Sequence, residues 1–101
     1  MQVLNHADPA RLAATFRLLG DPTRVRILMA LDRHDELCVH EIAESVDANM
    51  AAVSQSLRLL RTAAIVANRR DGRHIYYRLE DDHVRTLLVV AVEHLDHGPQ
   101  Q

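Results

Sequence analysis

What most constrains the folding of this chain is one dipeptide, Asp71-Gly72. It stands between the runs Ile65-Val66-Ala67-Asn68-Arg69-Arg70 and Arg73-His74-Ile75-Tyr76-Tyr77-Arg78-Leu79. Both runs have a period of two, and Asp-Gly between such runs supplies the positive φ angles of a type I′ turn. The segment therefore predicts a β-hairpin with Arg69, Arg70, Arg73 and His74 flanking its tip. Elsewhere the apolar residues recur at helical spacing, so the expected fold is mainly α with one β-hairpin, in the order α-α-α-α-β-β-α.

Two Asp-Pro pairs announce the first two helices: aspartate accepts from free amides at a helix start, and proline is well tolerated at the first helical position. Asp8-Pro9 opens a helix with Leu12, Phe16 and Leu19 on one face, ended by Gly20. Asp21-Pro22 opens a second, carrying Val25, Ile27, Leu28 and Leu31, which closes near Asp32; a polar connection from Asp32 to Leu37 follows. Val39, Ile42, Ala43 and Val46 predict a short third helix. Asp47-Ala48-Asn49 then supplies turn and cap before a fourth helix, from about Met50 to Ala63. There Val53, Leu57 and Leu60 form the buried stripe, leaving Ser54, Gln55, Arg58 and Arg61 together on the exposed face. A last helix runs from about Asp81 to His97 and stops at Gly98-Pro99. Its middle, from Val84 to Leu95, is apolar nearly all round and needs cover on two sides.

With 101 residues, 48% of them hydrophobic, residues 1–101 are expected to form a single domain. A domain of this size buries only about two-thirds of its unfolded surface, so an apolar terminal helix left over favours pairing with a second copy. Three Pro and three Gly without a low-complexity run argue against disorder, and the single Cys38 supports no intramolecular disulfide. The N-terminal residues Met1 to Asp8 offer neither a basic start nor an apolar stretch, and the longest apolar run, Leu87 to Val92, is far short of a membrane span. A cytoplasmic protein without membrane contact is expected.

Charge is distributed unevenly. All twelve basic residues are arginine; between Arg58 and Arg78 six of them face one acid, Asp71, a local +5, while the rest of the chain is −7. A short helix, a tight turn, a helix with a polar and cationic face and an arginine-tipped hairpin are the parts of a winged helix-turn-helix. Such a fold reads double-stranded DNA. Ser54, Gln55, Ser56 and Arg58 are the candidates for base edges in the major groove. Arg69, Arg70, Arg73 and His74 would meet phosphates or the minor groove.

The last helix carries a second constellation, Asp81, His83, His94 and His97, a donor set suited to zinc, nickel or cobalt. The three histidines share one helix face, but His83 and His94 are about 16 Å apart along the axis, too far for one ion. An antiparallel second copy resolves this. Opposed residues in such a pair have a constant index sum, which is 178 for Asp81 with His97 and 177 for His83 with His94. Asp81 and His83 of one subunit then meet His94 and His97 of the other, twice per dimer. Cys38 and His40 could supply two ligands of a thiolate site, but with no second cysteine to complete a soft site Cys38 is read as a small buried hydrophobe. His6 is read as part of a disordered end, with a fifth or sixth ligand as the alternative, and His34 as loop surface. A metalloenzyme is not expected: the chain has no nucleophile motif and no glycine-rich phosphate loop.

Four stretches carry a resemblance: Leu19-Gly20-Asp21-Pro22-Thr23-Arg24-Val25-Arg26-Ile27-Leu28, Glu36-Leu37-Cys38-Val39-His40-Glu41-Ile42-Ala43, Val53 to Arg61, and Gly72 to Leu79. They make the chain similar to the ArsR/SmtB family of winged-helix metal-responsive transcription regulators. The D-x-H-x10-H-x2-H/E pattern of that family's zinc-, cobalt- and nickel-sensing branch is matched by Asp81, His83, His94 and His97. The resemblance implies a homodimer joined through the first and last helices, bound to operator DNA in the apo form and released by a divalent metal, Ni(II) or Zn(II) with Co(II) as a further option. The alternative within the same class is a winged-helix regulator whose metal signal comes from a separate partner protein. Members that sense arsenic, cadmium or lead use paired cysteines in the third-helix motif, where this chain has His40, so a sensor of such thiophilic metals is disfavoured.

Overall fold

The computed structural model of the chain describes residues 2–97. Its elements are α1 (Gln2–Asn5), α2 (Pro9–Leu19), α3 (Pro22–His34), β1 (Leu37–Cys38), α4 (Val39–Val46), α5 (Met50–Thr62), β2 (Val66–Asp71), β3 (His74–Leu79) and α6 (Asp82–Asp96). The architecture is mainly α with a β-hairpin wing, a winged helix-turn-helix. Both Asp-Pro starts form as expected: the Asp8 carboxylate accepts from the Ala10 amide at 3.0 Å, and that of Asp21 from the Arg24 amide at 3.0 Å.

Four local expectations are corrected. One helical turn, α1, precedes Asp8 where a disordered end was expected. Helix α3 continues past Asp32 to His34, which places His34 on a helix rather than in a loop; Asp35, at φ 64, then turns the backbone. The polar connection shrinks accordingly, and Leu37–Cys38 become a strand. They pair antiparallel with β3, Leu37 opposite Tyr77 and Cys38 opposite Tyr76, so the sheet has three strands in the order β1-β3-β2. The hairpin turn is shifted by one residue. Asp71 pairs with His74, which leaves Gly72-Arg73 as the loop. Gly72 has φ 65 while Arg73 keeps a negative φ, so the glycine leads the turn, the type II′ pattern rather than type I′. The stop at Gly98-Pro99 lies outside the described residues.

The core gathers Ile27, Leu28 and Leu31 of α3, Ile42 and Val46 of α4, and Val53, Leu57 and Leu60 of α5, closed by Ile65 and Val66. Helices α2 and α6 lie outside it and bury no residue fully. Leu18 and Leu19 anchor α2, Val84 and Leu88 anchor α6, and Arg85 Nε donates to Asp32 at 2.7 Å to hold α6 on α3. The Leu12/Phe16 face of α2 is not covered within one chain: these side chains are 44% and 53% exposed. Along α6, Leu87, Val89, Val90, Val92 and Leu95 are also exposed, so a single chain covers that helix on one side only.

Candidate nucleic-acid interface and metal-ligand positions

Helices α4 and α5 are joined by Asp47-Ala48-Asn49 with cap chemistry at both ends. Glu41 accepts from the Cys38 amide at 2.9 Å at the start of α4, and this hydrogen bond is the main cause that lowers its carboxyl pKa from the ordinary value. Asp47 closes α4 in the left-handed region at φ 54, and Asn49 caps α5 by accepting from the Ala52 amide at 2.8 Å. Helix α5 then buries Val53, Leu57 and Leu60 completely. That fixes its rotation and turns Gln55, Arg58 and Arg61 to solvent, with Ser54 at the edge of the same face.

Ser56 does not share this surface. It is 8% exposed on the packed side of α5, so the expectation that it reads bases is corrected. Two residues beyond Ser54 means a rotation of about 200°.

In the wing, Arg70, Arg73 and His74 are exposed at and beside the tip. Arg69 is held elsewhere. Its Nε and Nη2 each donate to the Glu36 carboxylate at 2.8 Å, and its guanidinium lies 5.0 Å over the Tyr76 ring. The Arg69 hydrogen bond is the leading cause that lowers the Glu36 pKa from the ordinary value, and the same bond raises that of Arg69. Arg69 thus ties the wing to the segment before β1, a link between residues 33 apart in sequence. Cys38 is buried, as expected, with its Sγ 3.3 Å from His40 Nδ1.

The metal-ligand candidates occupy the two ends of α6. Asp81 caps it, accepting from the His83 and Val84 amides at 3.0 and 3.3 Å, and its other carboxylate oxygen lies 3.5 Å from His83 Nδ1. The His83 side chain is 97% exposed. At the far end His94 is exposed, and His97 Nδ1 donates to the Glu93 carbonyl at 2.8 Å, since a carbonyl can only accept. In the neutral ring that bond leaves Nε2, one of the two nitrogens through which an imidazole binds a metal, with its lone pair free. Among the described residues no three His, Cys, Asp or Glu of one chain converge on a point. The donors suit a borderline divalent ion in type, but those at the two ends of one α6 do not meet. His6 is exposed beside Arg11 and Leu12, near α2.

A three-residue turn between two packed helices, a second helix rotated to present polar and cationic side chains, and a cationic hairpin behind it define the winged helix-turn-helix class. The sequence profile of the bacterial regulatory protein arsR family matches residues 21–68, from the start of α3 into β2. The chain is 50% identical over 86 residues to the HTH-type transcriptional regulator KmtR of Mycobacterium tuberculosis, a match covering 83% of this chain and 65% of that relative. It thus spans just under two thirds of KmtR. It is 39% identical over 94 residues to the transcriptional repressor SmtB homolog of Synechocystis sp., covering 93% of this chain and 70% of the other. Among solved structures, the homodimeric winged helix-turn-helix DNA-binding domain Mb0332 from Mycobacterium bovis, a possible ArsR-family regulator, superposes with a TM-score of 0.75. Its sequence identity is 30%, with coverage of 91% of this chain and 88% of that one. The chain belongs to the arsR family of bacterial regulatory proteins. Its relatives are transcriptional regulators, not enzymes.

Proposed function

We propose that residues 1–101 form one domain that dimerises, binds operator DNA in the apo form and responds to a divalent transition metal, Ni(II) or Zn(II) with Co(II) as a further option. The observation that carries the DNA reading is the rotation of α5: its apolar stripe is wholly buried, so Ser54, Gln55, Arg58 and Arg61 are available to one major groove. Arg70, Arg73 and His74 contact the backbone or minor groove beside it, and Arg69 positions the wing through Glu36.

Dimerisation is supported by surface. The chain exposes 7553 Å², whereas a compact monomer of 11.4 kDa exposes about 5800 Å². Much of the apolar part lies on Leu12 and Phe16 of α2 and on Val89, Val90 and Val92 of α6. Paired antiparallel, two α6 helices bring Asp81 and His83 of one copy to His94 and His97 of the other, and these four residues would hold the ion. When bound, the metal supplies a cross-link between the two copies of α6. The α6 pair sets the separation of the two α5 helices, so a geometry fixed for the metal is one that fits two successive major grooves less well. Such coupling is reciprocal: DNA weakens metal binding by the factor by which metal weakens DNA binding, about 1–3 kcal/mol in systems of this kind.

The test is a titration of the apo protein against a duplex from its own upstream region, with and without each metal. Duplex affinity is expected to fall with one metal, and in His94→Ala to stay at the apo level with or without it. Arg73→Ala is expected to weaken duplex binding with a shallower salt dependence and an unchanged melting temperature. Binding indifferent to every metal would leave the DNA reading in place and move sensing to a partner protein.

A further inference from the structure

The fold assembles a cationic cleft that no single stretch of the chain contains. Arg11 and Arg17 of α2, Arg24 of α3 and Arg58 of α5 surround a concavity of about 590 Å³ whose walls include Leu18 and Leu59. No carboxylate lines it. Arg24 is anchored there by a hydrogen bond from its Nε to the Leu18 carbonyl, while Arg11, Arg17 and Arg58 enter none of the salt bridges among the described residues. In a chain with fourteen acids and twelve arginines, four arginines lining one concavity with no carboxylate among its lining residues give that spot a positive potential.

We propose that this cleft binds a small organic anion, a carboxylate or phosphate carried on an apolar body. Its volume lies in the range of small-molecule sites, and its make-up, apolar walls with a few convergent charges, is that of such sites. The cleft is centred on a different face of α2 from the proposed dimer contact: Arg11, Thr15 and Leu18 lie on average about 110° around the helix from Leu12 and Phe16, with Thr15 at the border between the two faces. Arg58 belongs both to the cleft and to the α5 surface proposed to read DNA, so an occupied cleft competes with DNA for that guanidinium. This regulatory consequence rests on the DNA reading; the binding itself does not.

The probe is 8-anilinonaphthalene-1-sulfonate, an aromatic body with one sulfonate, titrated by fluorescence into the full chain and into the double variant Arg11→Ala/Arg17→Ala. Both substituted residues are exposed, so folding is expected to be retained and a thermal melt checks it. A roughly tenfold loss of dye affinity in the variant, with displacement from the wild type by phenyl phosphate but not by inorganic phosphate at equal concentration, is the expected result. Dye affinity equal in the two proteins would overturn the proposal, the dye then sitting on the apolar faces of α2 and α6. Dye affinity unchanged while duplex affinity and its salt slope fall would overturn it too, assigning Arg11 and Arg17 to the DNA backbone and leaving the DNA reading intact.

Discussion

Arg69 stands in the most cationic stretch of the chain, yet its guanidinium is spent on Glu36 and Tyr76 rather than on a ligand. The Glu36 carboxyl is lowered from its ordinary value of 4.5 first by that hydrogen bond, and Glu41 first by the amide of Cys38. A carboxyl with a lowered folded pKa contributes stability that is present above its unfolded value and lost as pH falls through the folded one. The wing and the start of α4 are therefore expected to loosen in the window below 4.5. Thermal melts from about pH 7 to about pH 3 should show a shallower acid decline for Glu36→Gln than for the wild type; equal declines would mean that the pair adds nothing. At this scale the face of α5 was legible from spacing, and helix periodicity alone already sets Ser56 apart from Ser54. The role of Arg69 was not legible, because its partner lies on the far side of α4 and α5 in sequence and only folding brings it near.

At the end of α5 the chain closes with a paired set of hydrogen bonds, Ile65 amide to Leu60 carbonyl at 2.9 Å and Ala64 amide to Arg61 carbonyl at 3.0 Å. This is a Schellman motif, and its left-handed position is held by Ala64 at φ 59. An alanine there bears the Cβ clash that glycine avoids, about 1 kcal/mol. Ala64→Gly is expected to stabilise the protein by about that amount in a denaturant titration, with no change in duplex affinity; destabilisation would show that the Ala64 methyl packs usefully. Helix starts were legible because capping is local: Asp8, Asp21, Asn49 and Asp81 each bond an amide within three residues. Strand β1 was not, since two residues carry no period and its pairing comes from Tyr76 and Tyr77. The hairpin was legible, but its register was set by the match of Asp71 to His74, which the dipeptide signal alone misplaces by one residue.

The molecule as a whole is more open than its size requires, with a radius of gyration of 14.8 Å against about 13 Å for a compact chain of this length. Helices α2 and α6 flank the core with apolar faces turned outward. Val90, 55% exposed in the middle of α6, lies where the proposed antiparallel crossing falls. Val90→Asp is expected to sediment as a monomer at concentrations where the wild type is a dimer, and to lose most of its duplex affinity. A dimeric Val90→Asp would move the interface away from α6. Sequence by itself determined where α2, α3, α5 and α6 begin, which side of α5 faces inward and that one hairpin is present, because caps, periods and turn dipeptides act within a few residues. It also placed Asp81, His83, His94 and His97 at opposite ends of one helix, beyond the reach of a single ion. Tertiary structure alone decided that Arg69 serves Glu36, that Leu37–Cys38 joins the sheet, and that Arg11, Arg17, Arg24 and Arg58 share a cleft, since each of these depends on residues that are distant along the chain and adjacent only after the core has packed.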